Sequence, residues 1–212
     1  MKSGLRDRKK QQTHQNLLDA ALKLMQDGKG LGELSLREVA NQAGIVPAAF
    51  YRHFKSMEEL GLALVDLSAV RIAEILKDAR QKRAYKSALQ TSLGIYFDYV
   101  AENPALFRFI SRERVGGNFN IREKIRAAMD QIASEMAKDM RMPKFLPPAD
   151  IELASELIVS LSFQMAPEFL DSMEEMRNRS EDKRIKWKTL KQLRLVFIGT
   201  IRGRRRKGNR KV

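Results

Sequence analysis

Apolar residues recur along most of this chain three and four positions apart, and few segments alternate one by one. That spacing belongs to helices that each bury one face, so the sequence predicts an all-α protein of about nine helices. Leu17, Leu18, Ala21, Leu22 and Met25 form the stripe of a first helix, from about Leu5 to Asp27. Three glycines in DGKGLGEL then break the pattern and predict a loop. Two short helices follow. A fourth helix, Ser56 to about Lys82, carries Leu60, Ala63, Leu64 and Leu67. A fifth, about Lys86 to Glu102, carries Leu93, Tyr96, Phe97 and Val100. Asn103-Pro104 ends it and opens a sixth, to about Glu113. After the VGGN loop, Ile125, Met129, Ile132 and Met136 mark a seventh helix from about Ile121 to Met142. An eighth is expected at about Ala149–Met173 and a ninth at about Glu181–Ile201. Pro167 is expected to kink or break the eighth, because a proline inside a helix removes a hydrogen bond.

The two short helices lie within SLREVANQAGIVPAAFYRHFK, Ser35 to Lys55. Ser35 and Glu38 have capping-box spacing, so the first begins there; Leu36, Val39, Ala40 and Ala43 give its apolar face. Gly44 suits the left-handed residue that closes a helix. Pro47 suits the first turn of the next, where its missing N–H costs nothing. The second helix is predicted from Pro47 to about Phe54, and Ser56 with Glu59 repeats the capping box for the helix after it. Helix, glycine turn and short second helix make a helix-turn-helix, which lays its second helix in the DNA major groove.

Charge strengthens that reading. The net charge is +14, which favours polyanionic partners. Seven Arg and Lys and no acid fall in Arg202 to Val212, a basic tail that is either a solubilising end or an extra phosphate contact. Arg6, Arg8, Lys9 and Lys10 lie near the N-terminus and either reach the DNA backbone or are solvated. The chain has no cysteine, which excludes disulfides and thiolate metal sites and fits a cytoplasmic protein. No apolar run approaches the ~20 residues a transmembrane helix needs, so no membrane insertion is expected. Two histidines, no cysteine and no nucleophile-elbow, zinc-protease or phosphate-loop motif argue against an enzyme, and no metal or cofactor is expected.

The run AAFYRHFKSMEEL, Ala48 to Leu60, resembles the recognition-helix signature of the TetR family of bacterial transcriptional regulators, and the likeness spans roughly Asn16 to Val65. NPALFRFISRERVGG, Asn103 to Gly117, together with VPAAFYRHF, is similar to the FabR/DesT-type repressors of unsaturated fatty-acid synthesis within that family. The resemblance implies a helix-turn-helix domain at 1–55, a larger ligand-binding and dimerisation domain at 56–202 and the basic tail at 203–212. It also implies a homodimer on a palindromic double-stranded operator.

In such a head, Val46, Pro47, Ala48 and Ala49 point small apolar groups at base edges, where they can touch a thymine methyl. Arg37 and Arg52 either read guanine or clamp phosphate. Tyr51, His53 and Lys55 match family positions that hold phosphates, while Phe50 and Phe54 are expected in the core. The resemblance further implies an effector with a long acyl chain, as a thioester of coenzyme A or acyl carrier protein. Phe97, Phe107, Met129 and Phe163 are the candidates for its tail and Arg108, Arg112 and Arg114 for its anionic head. Core packing and a solvated helix surface are the alternatives. Leu157, Leu161, Leu193 and Phe197 are candidates for the core shared between subunits, with the monomer's own core as the alternative. Two rival functions remain: a repressor of an efflux operon that senses a hydrophobic cationic drug, for which Asp98 and Glu168 are the nearest carboxylates, and a nucleic-acid binder with no sequence preference.

Overall fold

The computed structural model describes residues 2–26, 28–81, 85–139, 146–176 and 179–208. Among the described residues the chain is helical and holds no strand, as its periodicity predicts. The helices are α1 (Lys2–Met25), α2 (Leu36–Gln42), α3 (Pro47–Phe50), α4 (Met57–Gln81), α5 (Tyr85–Glu102), α6 (Pro104–Val115), α7 (Phe119–Asp139), α8 (Pro148–Met176) and α9 (Arg179–Gly208), with a 3₁₀ turn at Leu31–Glu33. The helix ends expected at Asp27, Lys82 and Met142 fall outside the described residues.

One expectation is narrowed and one needs correction. Of the kink or break expected at Pro167, the break does not occur: α8 runs unbroken through it. Ala166, Phe169 and Leu170 beside it are buried, and that packing outweighs the one hydrogen bond the proline removes. The second short helix is also shorter than predicted. After Phe50 the chain tightens into turns, with Arg52 N–H on Ala49 O at 3.2 Å and His53 N–H on Phe50 O at 2.8 Å.

The chain divides into two compact units, each assembled from two stretches of sequence. The first comprises Met1–Ser68 and Pro104–Arg126. Leu17 and Ala21 of α1, Val39 of α2, Phe50, Leu60 and Leu64 are fully buried in it. Gly61 lets α4 approach its neighbours closely: a Cβ there would lie 2.5 Å from Leu31 Cδ2 and 2.7 Å from Ile121 Cδ1. Asn118 starts α7, its Oδ1 accepting from Asn120 N–H at 2.8 Å. The Asn118 and Asn120 side-chain amides donate to the two carboxylate oxygens of Glu58, at 3.0 and 2.5 Å. Lys124 pairs with Asp66 at 2.7 Å. Polar contacts therefore bind the start of α7 to α4 along about two turns.

The second unit comprises Ala69–Asn103 and Ala127–Val212. Its interior holds an aromatic cluster: Phe97 lies 4.7 Å from Phe169, and Tyr96 lies 5.6 Å from Phe97 and 6.1 Å from Phe163, centroid to centroid. The Tyr96 hydroxyl donates to Ser162 O at 3.1 Å, tying α5 to α8. α8 and α9 follow one another closely and pack side by side, with Lys188 3.1 Å from Glu168. Their outward face is apolar at Leu153 and Leu157 of α8 and at Trp187, Leu195 and Ile198 of α9.

Candidate nucleic-acid interface

Local chemistry fixes the helix-turn-helix at each junction. Ser35 Oγ accepts from Glu38 N–H at 3.2 Å, and Glu38 Oε2 accepts from Ser35 N–H at 2.8 Å. The box that the spacing predicts is therefore closed in both directions. The bond from the Ser35 backbone, and then that from its hydroxyl, hold the Glu38 carboxyl below the usual carboxylate range. At the other end of α2, Gly44 has φ +72. Ile45 N–H reaches Ala40 O and Gly44 N–H reaches Asn41 O, both at 3.0 Å, the bond pair that closes a helix around a left-handed residue. Pro47 then opens α3.

This frame sorts the residues of the motif. Phe50 and Phe54 point inward and are buried, as expected. Val46 (68% exposed), Ala48, Tyr51 (63% exposed), Arg52 and Lys55 point outward, while Pro47, Ala49 and His53 are half-buried. Arg37 is exposed on α2. The small apolar groups of Val46 and Ala48 thus stand outward with Arg52 and Lys55 above a buried aromatic base. Ser56 Oγ accepts from Glu59 N–H at 3.1 Å and caps α4 directly after these residues. Burial lowers the His53 pKa, and the nearby His14, Lys10 and Arg52 charges lower it further. Its ring is therefore mostly neutral at pH 7 and offers a hydrogen bond rather than a charge.

The effector candidates divide between the units. Phe107, Arg108, Arg112 and Arg114 lie in the first; Phe97, Met129 and Phe163 lie in the second. Phe97, Phe107 and Phe163 are buried, and Met129, Arg108 and Arg114 are half-buried. Arg112 is engaged elsewhere. Its guanidinium donates to Gly28 O at 2.9 Å and lies 3.4 Å from Glu33 Oε2. Its partners are in the loop ahead of α2, a tie that nothing local in the sequence announces. The Asn118–Glu58 clasp is likewise not announced by any local pattern, although an asparagine after two glycines is a readable helix start. Of the subunit-contact candidates, Leu157 is exposed and Leu161 half-buried, while Leu193 is buried within its own chain. The Phe197 side chain lies outside the described residues. The two carboxylates considered for a cationic drug are exposed and paired, Asp98 with Lys186 at 2.9 Å and Glu168 with Lys188.

Among the described residues no helix is long and apolar enough to cross a membrane. A putative TetR-family transcriptional regulator from Rhodococcus sp. has a similar fold, with a TM-score of 0.68 at 18% identity over 88% of this chain and 98% of that one. The fatty acid degradation regulator FadR from Bacillus halodurans gives 0.65 at 16% identity, over 84% and 94%. FadR from Bacillus subtilis, solved in complex with stearoyl-CoA, gives 0.62 at 19%, over 84% and 96%. At such identities the likeness is one of fold. The sequence itself matches two family descriptions: "Bacterial regulatory proteins, tetR family" at residues 17–64 and "Tetracyclin repressor-like, C-terminal domain" at residues 85–199. The second match alone spans more than half of the chain, and the first covers the helix-turn-helix: the chain belongs to the TetR family of bacterial regulatory proteins.

Proposed function

We propose that this ligand-responsive regulator represses genes of unsaturated fatty-acid synthesis and senses a long-chain acyl thioester of coenzyme A or acyl carrier protein. The observation that carries the reading is the aromatic cluster of Tyr96, Phe97, Phe163 and Phe169 inside the helical body, an apolar interior whose chemistry suits an alkyl chain. The acyl-CoA complex of the Bacillus subtilis FadR structure supports the same ligand class. Arg112, one of the three cations considered for the anionic head, is held instead by the Gly28 loop. The exposed, paired state of Asp98 and Glu168 weighs against a cationic drug, which would need an unpaired buried carboxylate.

DNA is contacted through Arg37, the Val46–Ala49 row, Tyr51, Arg52, His53 and Lys55. A single short recognition helix binds weakly, so two heads act together on a palindromic operator. Leu153, Leu157, Leu195 and Ile198 form the face that a second copy covers, in place of the inward Leu193. Charge favours that pairing: α8 carries seven acids and no base, and α9 twelve bases and two acids. Each α8 laid across a partner's α9 therefore meets opposite charge. The ligand acts by binding one spacing of the heads better than another.

The test is binding of the purified protein to its own upstream DNA, with palmitoyl- and oleoyl-coenzyme A added in turn. Sequence-specific binding that the two thioesters shift differently is the expected result. Specific binding indifferent to both would remove the ligand assignment. Binding without sequence preference would favour the neutral nucleic-acid binder.

A further inference from the structure

His14 and His53 are the only histidines in the chain, and they come from different elements. The His14 ring, on α1, lies 4.4 Å from the Phe54 ring and 6.3 Å from the His53 ring. Lys10 is one turn earlier on the same face of α1 and is exposed. Arg52, also exposed, immediately precedes His53. The acid facing this group is Glu59 of α4, whose Oε2 already accepts from Lys55 N–H. His53 Nδ1 is shut off from solvent and has no hydrogen-bond partner. A buried ring nitrogen in that state costs least as a bare lone pair, which leaves the proton on Nε2. Four nitrogen-bearing side chains from α1 and the turn after α3 thus converge with one occupied carboxylate among them. The set is short of negative charge and of acceptors.

We propose that Lys10 and His14 complete a phosphodiester subsite with Arg52 and His53, so that one DNA backbone phosphate is gripped from α1 as well as from the recognition turn. This rests on the reading that the recognition turn faces DNA. His53 donates from Nε2, Lys10 and Arg52 supply fixed charge, and His14 takes up one proton from solvent as the phosphate seats. Without DNA, burial keeps His14 neutral at pH 7: it lowers the pKa, the Lys10 charge lowers it further, and Glu59 partly opposes both. A phosphate beside the ring favours the imidazolium, so the bound state titrates higher than the free one. Affinity for DNA therefore rises as the pH falls below about 7 and levels off below the free-state value.

The experiment measures binding of the full-length chain to a fluorescent duplex of its own upstream DNA and to a scrambled duplex, across pH and salt. For the unaltered chain, affinity should rise about threefold to tenfold between roughly pH 7.5 and 6, the range one linked proton allows. His14→Gln should flatten that profile. Lys10→Gln should lower the slope of log affinity against log salt by about 0.9 on both duplexes alike, as losing one phosphate contact does. An unchanged salt slope in Lys10→Gln, or a pH profile that survives His14→Gln, overturns the subsite while leaving the regulator intact. Failure of the unaltered chain to prefer its own duplex overturns the functional reading instead. Lys10 is exposed, so its variant decides the matter even where His14→Gln disturbs the packing on Phe54.

Discussion

Arg112 of α6 donates a 2.9 Å hydrogen bond to the carbonyl oxygen of Gly28, so a helix more than eighty residues downstream steadies the loop that leads into the helix-turn-helix. Arg112→Ala should lower the melting temperature by about 2–4 °C, since a half-exposed pair and one hydrogen bond amount to roughly 1 kcal/mol. Affinity for an acyl thioester, measured by calorimetry, should not change. A normal melting temperature with weakened thioester binding would return Arg112 to the effector site.

Gly117 has φ +64, and a Cβ there would sit 1.7 Å from Glu113 Oε2. Glu113 is buried and accepts from Asn118 N–H at 3.4 Å, so making room for the Cβ displaces its carboxylate from that bond. Gly117→Ala should cost at least about 2 kcal/mol in urea denaturation, from left-handed strain plus displacement of a buried carboxylate. Gly44→Ala, at φ +72 with open space around it, should cost only the strain, about 1–2 kcal/mol. Equal losses at the two sites would show that the Glu113 contact carries no weight.

Ser35→Ala removes the side-chain half of the α2 cap and should lower the melting temperature by about 2–4 °C. The Glu38 carboxyl, held low in the folded protein, should move up toward its ordinary value, as carbon-13 NMR titration would record. A carboxyl depressed in the folded state contributes stability above its unfolded pKa and loses it as pH falls through the folded one. The gap between the two proteins should therefore narrow below about pH 4.

The histidine pair gives the free protein the opposite pH trend from its DNA complex. Both rings titrate below the ordinary value, chiefly through burial, so folding favours their neutral forms. The sign follows: their contribution is complete above the unfolded value, about 6.5, and declines as pH falls through the folded one. Thermal melts of DNA-free protein between about pH 7.5 and 5.5 should fall, and His14→Gln should fall less. A melting temperature independent of pH across that interval would exclude the effect.

Leu157 is 50% exposed on α8, so Leu157→Glu should leave the monomer folded and place a charge in the face assigned to the partner copy. Sedimentation should show a dimer for the unaltered chain and a monomer for the variant, with unaltered helical circular dichroism. Because α8 and α9 carry opposite charge, high salt should weaken the unaltered dimer moderately. A variant that stays dimeric locates the subunit contact elsewhere.

The sequence was most legible where the chemistry is local. Ser35 with Glu38, Gly44 and Pro47 act within a few residues and do what their spacing predicts, while at Ser56 only the hydroxyl half of the expected box forms, the Glu59 carboxylate accepting from Lys55 N–H instead. Legibility fails where long-range packing decides. Periodicity cannot say which apolar stripe of α9 faces inward: Leu193 is buried, yet Leu195 is 66% exposed. At Pro167 the local rule allows a break, and the surrounding core holds α8 continuous through it. The second short helix ends at Phe50, earlier than its sequence predicts, because the backbone tightens into turns before Phe54. The ties from Arg112 and Asn118 join residues about sixty or more apart, and polar side chains carry no periodic signal.

The unit that carries the helix-turn-helix closes only when Pro104–Arg126 joins Met1–Ser68. A DNA-binding head cut out at Ser68 would lack Ile121, which packs at Gly61, and would bare the apolar surface that α6 and α7 cover. Such a fragment is a poor candidate for expression by itself and is prone to self-association. The same geometry limits recombination: exchanging whole heads between relatives requires moving two separate pieces of the gene at once.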